Sequence, residues 1–237
     1  MIETLTITGV DEDTEPGDLL HLARWFPFVE LAVLAGTREG EPRFPRRGWI
    51  DDWLGMAAAA GVQTAVHLCG ARSRAARDRN WNDIGRLARR CGRVQVNLPQ
   101  DERDAAATAL ADLAWFLKRP VIVQHEGPWE TSAAAAQAHV DLLSDSSGGR
   151  GIASFESWPQ PRDGRLSGYA GGIGPETITE ALGFTERYPD HRIWLDLESG
   201  VRTDGAFDTS KAIAVCSEVD AARQRDATRT RRSRTGR

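Results

Sequence analysis

This chain of 237 residues is poor in cysteine, in lysine and in long apolar runs, and each shortage closes off a class of chemistry. The three cysteines, Cys69, Cys91 and Cys216, are scattered, so they form neither a paired metal motif nor a disulfide framework. That usage is expected of a reducing, cytoplasmic setting. Lysine occurs only at Lys118 and Lys211, and neither ends a predicted strand, which disfavours Schiff-base catalysis. No apolar run approaches the roughly 20 residues a membrane span needs. No basic-then-apolar leader is seen, so export is not expected. The glycine fingerprint that follows the first strand of a dinucleotide-binding sheet is missing. No ligand spacing supports a metal site, and no cofactor is expected.

Charge is present but unevenly spread. The formal net charge is −4, yet Arg223, Arg225, Arg229, Arg231, Arg232, Arg234 and Arg237 crowd the last residues. The sequence therefore predicts one folded domain over 1–222 and a disordered arginine-rich tail over 223–237. Without the tail the body is acidic, so nucleic acid is not its expected partner.

Short β-branched and apolar runs recur at Thr4–Gly9, Phe28–Leu34, Gln63–Leu68, Arg93–Leu98, Pro120–Gln124, Val140–Asp145, Leu166–Ala170 and His191–Leu197. Stretches of helical length separate most of them, including Trp49–Ala60, Trp81–Cys91, Asp101–Leu117 and Thr177–Arg187. Strands alternating with helices predict a parallel sheet. Eight such units in a chain of this length predict a closed, single-domain (β/α)8 TIM barrel.

Alternation along the strands sorts side chains into those that meet the helices and those that face the barrel interior. Leu5, Ile7, Val66, Leu68, Val94, Val96, Leu98, Ile193, Leu195 and Leu197 form the outward, apolar set. The inward set is then Thr4, Thr6 and Thr8, Glu30, His67 and Cys69, Gln95 and Asn97, Gln124, and Trp194, Asp196 and Glu198. Buried polar groups are costly unless they bond one another or a ligand. Many of these lie near the carboxyl ends of strands, where this fold places its active sites. Asn97, Gln124 and Asp196 are accordingly candidate substrate-binding residues.

Three glycine loops follow the last strands: Asp145-Ser146-Ser147-Gly148-Gly149-Arg150-Gly151, then Gly171-Gly172-Ile173-Gly174-Pro175-Glu176, then Ser199-Gly200-Val201. Glycine lets backbone N–H groups approach an anion, and a helix amino terminus adds favourable partial charge. Gly148, Gly149, Gly151, Gly171, Gly172, Gly174, Ser199 and Gly200 are thus candidate phosphate-binding residues, and a phosphorylated small molecule is the expected partner. Trp129 and Trp158, in loops after strands five and six, are placed either to stack on a planar ligand or to pack against those loops.

Leu142-Leu143-Ser144-Asp145 with Gly148-Gly149-Arg150-Gly151, Ala170-Gly171-Gly172-Ile173-Gly174-Pro175-Glu176, and Asp196-Leu197-Glu198-Ser199-Gly200-Val201 occur in this order. Together they resemble the signature of the phosphoribosylanthranilate isomerase family over about residues 140–215. The first half resembles it more loosely. Thr6-Ile7-Thr8-Gly9-Val10 stands where that family has Lys-Ile-Cys-Gly-Ile. Glu41-Pro42-Arg43-Phe44 stands where a family arginine holds the substrate carboxylate. The resemblance implies an Amadori-type isomerisation of a phosphorylated ribosyl-amine or related sugar phosphate, with Asp145 as general acid and Arg43 as carboxylate ligand. Arg43 could equally pair with Glu39. Thr8 replaces the family's cysteine base and is a far poorer base than a thiolate. Asp11, Cys69, His67 and Glu198 are the candidates to take over that task. A lyase or aldolase acting on a phosphosugar, and a non-catalytic phosphate-ligand binder, are the rival readings.

Overall fold

A computed structural model describes residues 2–145 and 155–235, with side chains as far as residue 228. Eight parallel strands close into a barrel in sequence order. They are β1 (Ile2–Thr8), β2 (Val29–Ala35), β3 (Gln63–Leu68), β4 (Arg93–Val96), β5 (Val121–His125), β6 (Val140–Asp145), β7 (Ser167–Ala170) and β8 (Ile193–Leu197). Closure is made by β1 on β8, with Leu5 opposite Leu195 and Ile7 opposite Leu197. The helices are α1 (Pro16–Trp25), α2 (Arg47–Ala59), α3 (Ala71–Arg77), α4 (Asn82–Ala88), α5 (Gln100–Leu117), α6 (Ile178–Glu186) and α7 (Thr209–Thr235). The connection from β5 to β6 holds two short 3-10 turns, Trp129–Thr131 and Ala133–Ala136, in place of a long helix.

Helix spacing explains the outer layer. In α2, Ile50, Trp53, Leu54 and Ala57 recur at the intervals that put them on one face, and all four are buried. They join the main core with the outward strand residues Leu5, Ile7, Val66, Leu68, Val94, Val96, Leu98, Ile193, Leu195 and Leu197. Each fully buried aliphatic side chain contributes roughly 1.5–3 kcal/mol. Pro16 opens α1, where its missing N–H costs nothing.

A second, smaller apolar cluster fills the barrel interior: Ile122, Leu143, Ala170 and Trp194. Trp194 lies opposite Gly168 in the β7–β8 ladder. A Cβ at Gly168 would overlap the Trp194 ring, so the glycine is what admits the indole.

The expected boundary between body and tail falls inside α7. The apolar series Ala212, Val215, Cys216, Val219 and Ala222 buries one face of the helix up to that point. Beyond it, the Arg223 guanidinium lies 4.9 Å from the Phe28 ring centre and donates to the Ile2 carbonyl. Arg225 pairs with Glu186 at 3.5 Å. The helix α7 itself runs on to Thr235.

Candidate active site

At the carboxyl ends of the strands, one pocket is lined by Thr8, Arg43, His67, Gln95, Asn97, Gln124, Asp145, Asp196 and Glu198, together with Gly171, Gly172, Ile173 and Ser199. These residues come from both halves of the chain and from every strand end except that of β2, whose following loop supplies Arg43. The barrel's register sets their heights. Asp145 of β6 pairs with Ala170 of β7, which pairs with Asp196 of β8. Two strand spacings separate the two carboxylates, about 10 Å at the backbone, on the same interior face.

Asp196 is buried and accepts a hydrogen bond from the Thr8 hydroxyl at 2.7 Å. Burial pushes its pKa up from 3.8 to about 7, with Glu198 and Glu30 adding to the rise and Thr8 and Arg93 opposing it. Asp145 accepts from Gln124 Nε2 at 3.4 Å. Glu198 pairs with Arg43, and burial raises its pKa against the pull of Arg43 and Arg202. Arg43 reaches it from a left-handed backbone position, φ +72°. Glu39 meanwhile binds Arg72 at 2.8 Å, so Glu198 and not Glu39 is the partner of Arg43.

The floor of the pocket is polar and uncharged. Burial, reinforced by the charge of Arg93, pushes the His67 pKa down to about 3, so its ring is neutral throughout the ordinary pH range. Gln95 Nε2 donates to Asn97 Oδ1 at 2.9 Å, and Asn97 Nδ2 donates to Cys69 Sγ at 3.4 Å. His67 Nε2 and Gln95 Oε1 are buried without a hydrogen-bond partner among the described residues. Gln95 stood among the inward residues in the sequence but not among the expected site residues. The alternation along β4 was the signal that placed it inside the barrel.

Several expected site residues lie elsewhere or in a different state. Asp11 is fixed by Arg202 at 2.7 Å and by Thr14 at 3.2 Å, and it does not line the pocket. Cys69 packs beside Asn97, where burial raises its pKa and keeps the thiol protonated. Glu30 faces inward, as expected, but below the pocket. It binds Arg93 in a two-point pair at 3.0 and 2.6 Å and accepts from Thr6 at 2.9 Å. Trp129 and Trp158 are buried in an aromatic cluster with Tyr169 and Phe184. Their indole N–H groups donate to the carbonyls of Gln160 and Ala170. Packing, not stacking on a ligand, accounts for both.

The glycine loops divide by role. Gly171 and Gly172 take positive φ values, +103° and +68°, which turns this loop into the pocket. Gly174 does not offer an N–H, because it donates to Thr177 Oγ1 at 3.0 Å. Gly174 and Gly200 instead pack backbone to backbone, and a Cβ on Gly200 would run into the Ile173 carbonyl. Gly148, Gly149 and Gly151 lie outside the described residues. Lys118 ends α5, and Lys211 Nζ donates to the Arg202 carbonyl at 2.9 Å, so neither lysine lines the pocket.

No protein-family model matches the chain, and no curated protein matches it significantly. Among solved structures it is similar to N-(5'-phosphoribosyl)anthranilate isomerase from Pyrococcus furiosus, at 13% identity and a TM-score of 0.60, over 92% of this chain and 98% of that one. It is also similar to phospho-2-dehydro-3-deoxyheptonate aldolase from Thermotoga maritima, at 13% identity and a TM-score of 0.57, over 95% of this chain and 71% of that one. At such identities the likeness establishes the architecture, a single-domain (β/α)8 barrel shared with enzymes of different chemistry.

Proposed function

We propose that this barrel is an acid/base isomerase acting on a phosphorylated ribosyl-amine or a related sugar phosphate. The observation that carries the reading is the composition of one pocket. Two carboxylates at one level of the barrel, Asp145 and Asp196, share it with Gly171, Gly172 and Ile173 and with Ser199. An aldose-to-ketose rearrangement needs a proton donor at the ring oxygen and a proton acceptor at C2. The phosphate fits the glycine loops, where backbone N–H groups serve as donors without adding side-chain bulk. His67, Gln95, Asn97 and Gln124 suit sugar hydroxyls, since each offers a donor or an acceptor without net charge. Asp145 is assigned as the acid at the ring oxygen.

An aldolase of the Schiff-base type draws no support from the positions of Lys118 and Lys211. The deciding experiment offers N-(5'-phosphoribosyl)anthranilate to the purified protein and to Thr8→Cys, alongside complementation of a strain lacking that isomerase. Turnover by the wild type supports the reading in its narrowest form. Turnover only by Thr8→Cys supports a preserved pocket used on a different phosphosugar. Binding of no phosphosugar at all refutes it.

A further inference from the structure

We propose that Asp196, oriented by the Thr8 hydroxyl, is the group that takes the carbon-bound proton, working together with Asp145 two strands away. This rests on the isomerase reading above and names the base that the reading requires.

The other candidates are disqualified by their surroundings. Asp11 is locked by Arg202 outside the pocket. His67 is a weak base, its ring kept neutral by burial and Arg93. The Cys69 thiol is held protonated by burial and spends its sulfur on Asn97. Glu198 is engaged by Arg43 at the rim. Asp196 lines the pocket, is buried, and keeps one carboxylate oxygen on Thr8. The groups that face it are Thr8 from β1, Glu30 from β2, Arg93 from β4, Asp145 two strands away on β6 and Glu198 just past the end of its own strand. A base poised near neutrality is the most effective one there, and Asp196 sits at about 7.

The proton inventory closes with two carboxyl groups. Asp145 protonates the ring oxygen, the C1–O bond breaks, and the amine nitrogen becomes an iminium. The Asp196 carboxylate takes the proton from C2. The C2–H electron pair becomes the C1=C2 bond, and the iminium π pair returns to nitrogen. Asp196 then delivers its proton to C1 while the C2 hydroxyl becomes a carbonyl and returns its proton to Asp145. No oxidant or co-reactant enters. Thr8 is a positioning residue here: it donates to Asp196 and so favours the carboxylate.

The test is a pH titration of the full chain labelled with ¹³C in its aspartate carboxyls, run on wild type, Asp196→Asn and Thr8→Val. The expected result is one aspartate titrating at about 7, absent in Asp196→Asn and moved upward in Thr8→Val. With N-(5'-phosphoribosyl)anthranilate, Asp196→Asn should lose about 100-fold or more in kcat. Thr8→Val should move the acid limb of kcat/KM upward by the same amount as the carboxyl midpoint. The assignment is overturned if no aspartate titrates near neutrality, if that titration survives in Asp196→Asn, or if Asp196→Asn keeps wild-type turnover. Failure of the wild type on that substrate, with the titration intact, overturns the C2 step as written for it and still identifies Asp196 as the titrating carboxyl, whereas the isomerase reading itself falls only if no phosphosugar binds.

Discussion

The two halves of the barrel interior contain similar residues treated in opposite ways. Toward the amino-terminal end, Glu30, Arg93 and Thr6 bond one another, with Trp194 beneath the Arg93 guanidinium at 4.8 Å. Arg93 Nη1 is the one side-chain polar atom of that trio without a partner among the described residues. Toward the carboxyl end, burial raises the pKa of Asp196 and Glu198, and His67 Nε2 and Gln95 Oε1 stay unpartnered among the described residues. Among the described residues the lower network pairs its charges within the fold and leaves over that one nitrogen, whereas the upper one holds raised carboxyls beside unpartnered polar atoms. A buried polar group without a protein partner is tolerated where a ligand completes it, and stability is commonly sacrificed at such places.

The sharpest way to break this comparison is to cut each half. Glu30→Gln leaves Arg93 as an uncompensated buried charge, and should cost about 3–5 kcal/mol in urea unfolding. A cost comparable to that of a surface substitution would show that the lower network is not structural. The next largest effect is expected at Asp196 and depends on pH. Its pKa is raised in the folded state, so the native protein binds that proton more tightly than the unfolded chain does. Its contribution to stability is therefore complete below about pH 4 and is lost as the pH rises through about 7. At about 1.4 kcal/mol per pKa unit, wild type should lose a few kcal/mol across this window relative to Asp196→Asn. Parallel stability curves for the two proteins would contradict the raised pKa. Gln95→Leu should change stability by about 1 kcal/mol or less, because the lost bond to Asn97 is offset by removing an unpartnered buried oxygen. The smallest effect is expected from removing residues 226–237, about 0.5 kcal/mol, given their dense arginine and lack of apolar periodicity. Extending the deletion to Arg223 should cost visibly more, through the lost contacts with Phe28 and Ile2.

Much of this architecture was legible because a barrel strand obeys a period of two. The outward sets of β1, β3, β4 and β8 read from the sequence all join the main core. The inward set supplied Thr8, His67, Gln95, Asn97, Gln124, Asp196 and Glu198 of the pocket. Pairings across long sequence distances were not legible. Asp11 stands beside Glu12 and Asp13 with no local sign that Arg202 will claim it. Arg93 read as the start of a strand, and only the closed barrel brings it to Glu30. The glycine loops were legible as loops, but composition cannot show which N–H groups are consumed. Gly174 turned out to be spoken for by Thr177, whereas Gly171 and Gly172 face the pocket. The aromatic residues Trp129 and Trp158 followed the commoner rule that large rings seek the core.

The central claim is that the carboxyl-end half of the barrel is completed by a phosphorylated ligand. Its most direct test is a titration of the ¹⁵N-labelled protein with ribose 5-phosphate and, separately, with inorganic phosphate, following backbone amides. The account predicts saturable shifts at Gly171, Gly172, Ile173 and Ser199, with ribose 5-phosphate alone also moving Gln95, Asn97 and Asp145, and with Glu30 and Arg93 unmoved. Saturable shifts confined to the amino-terminal end or the outer helices, or none at the β7 and β8 loops, would contradict it.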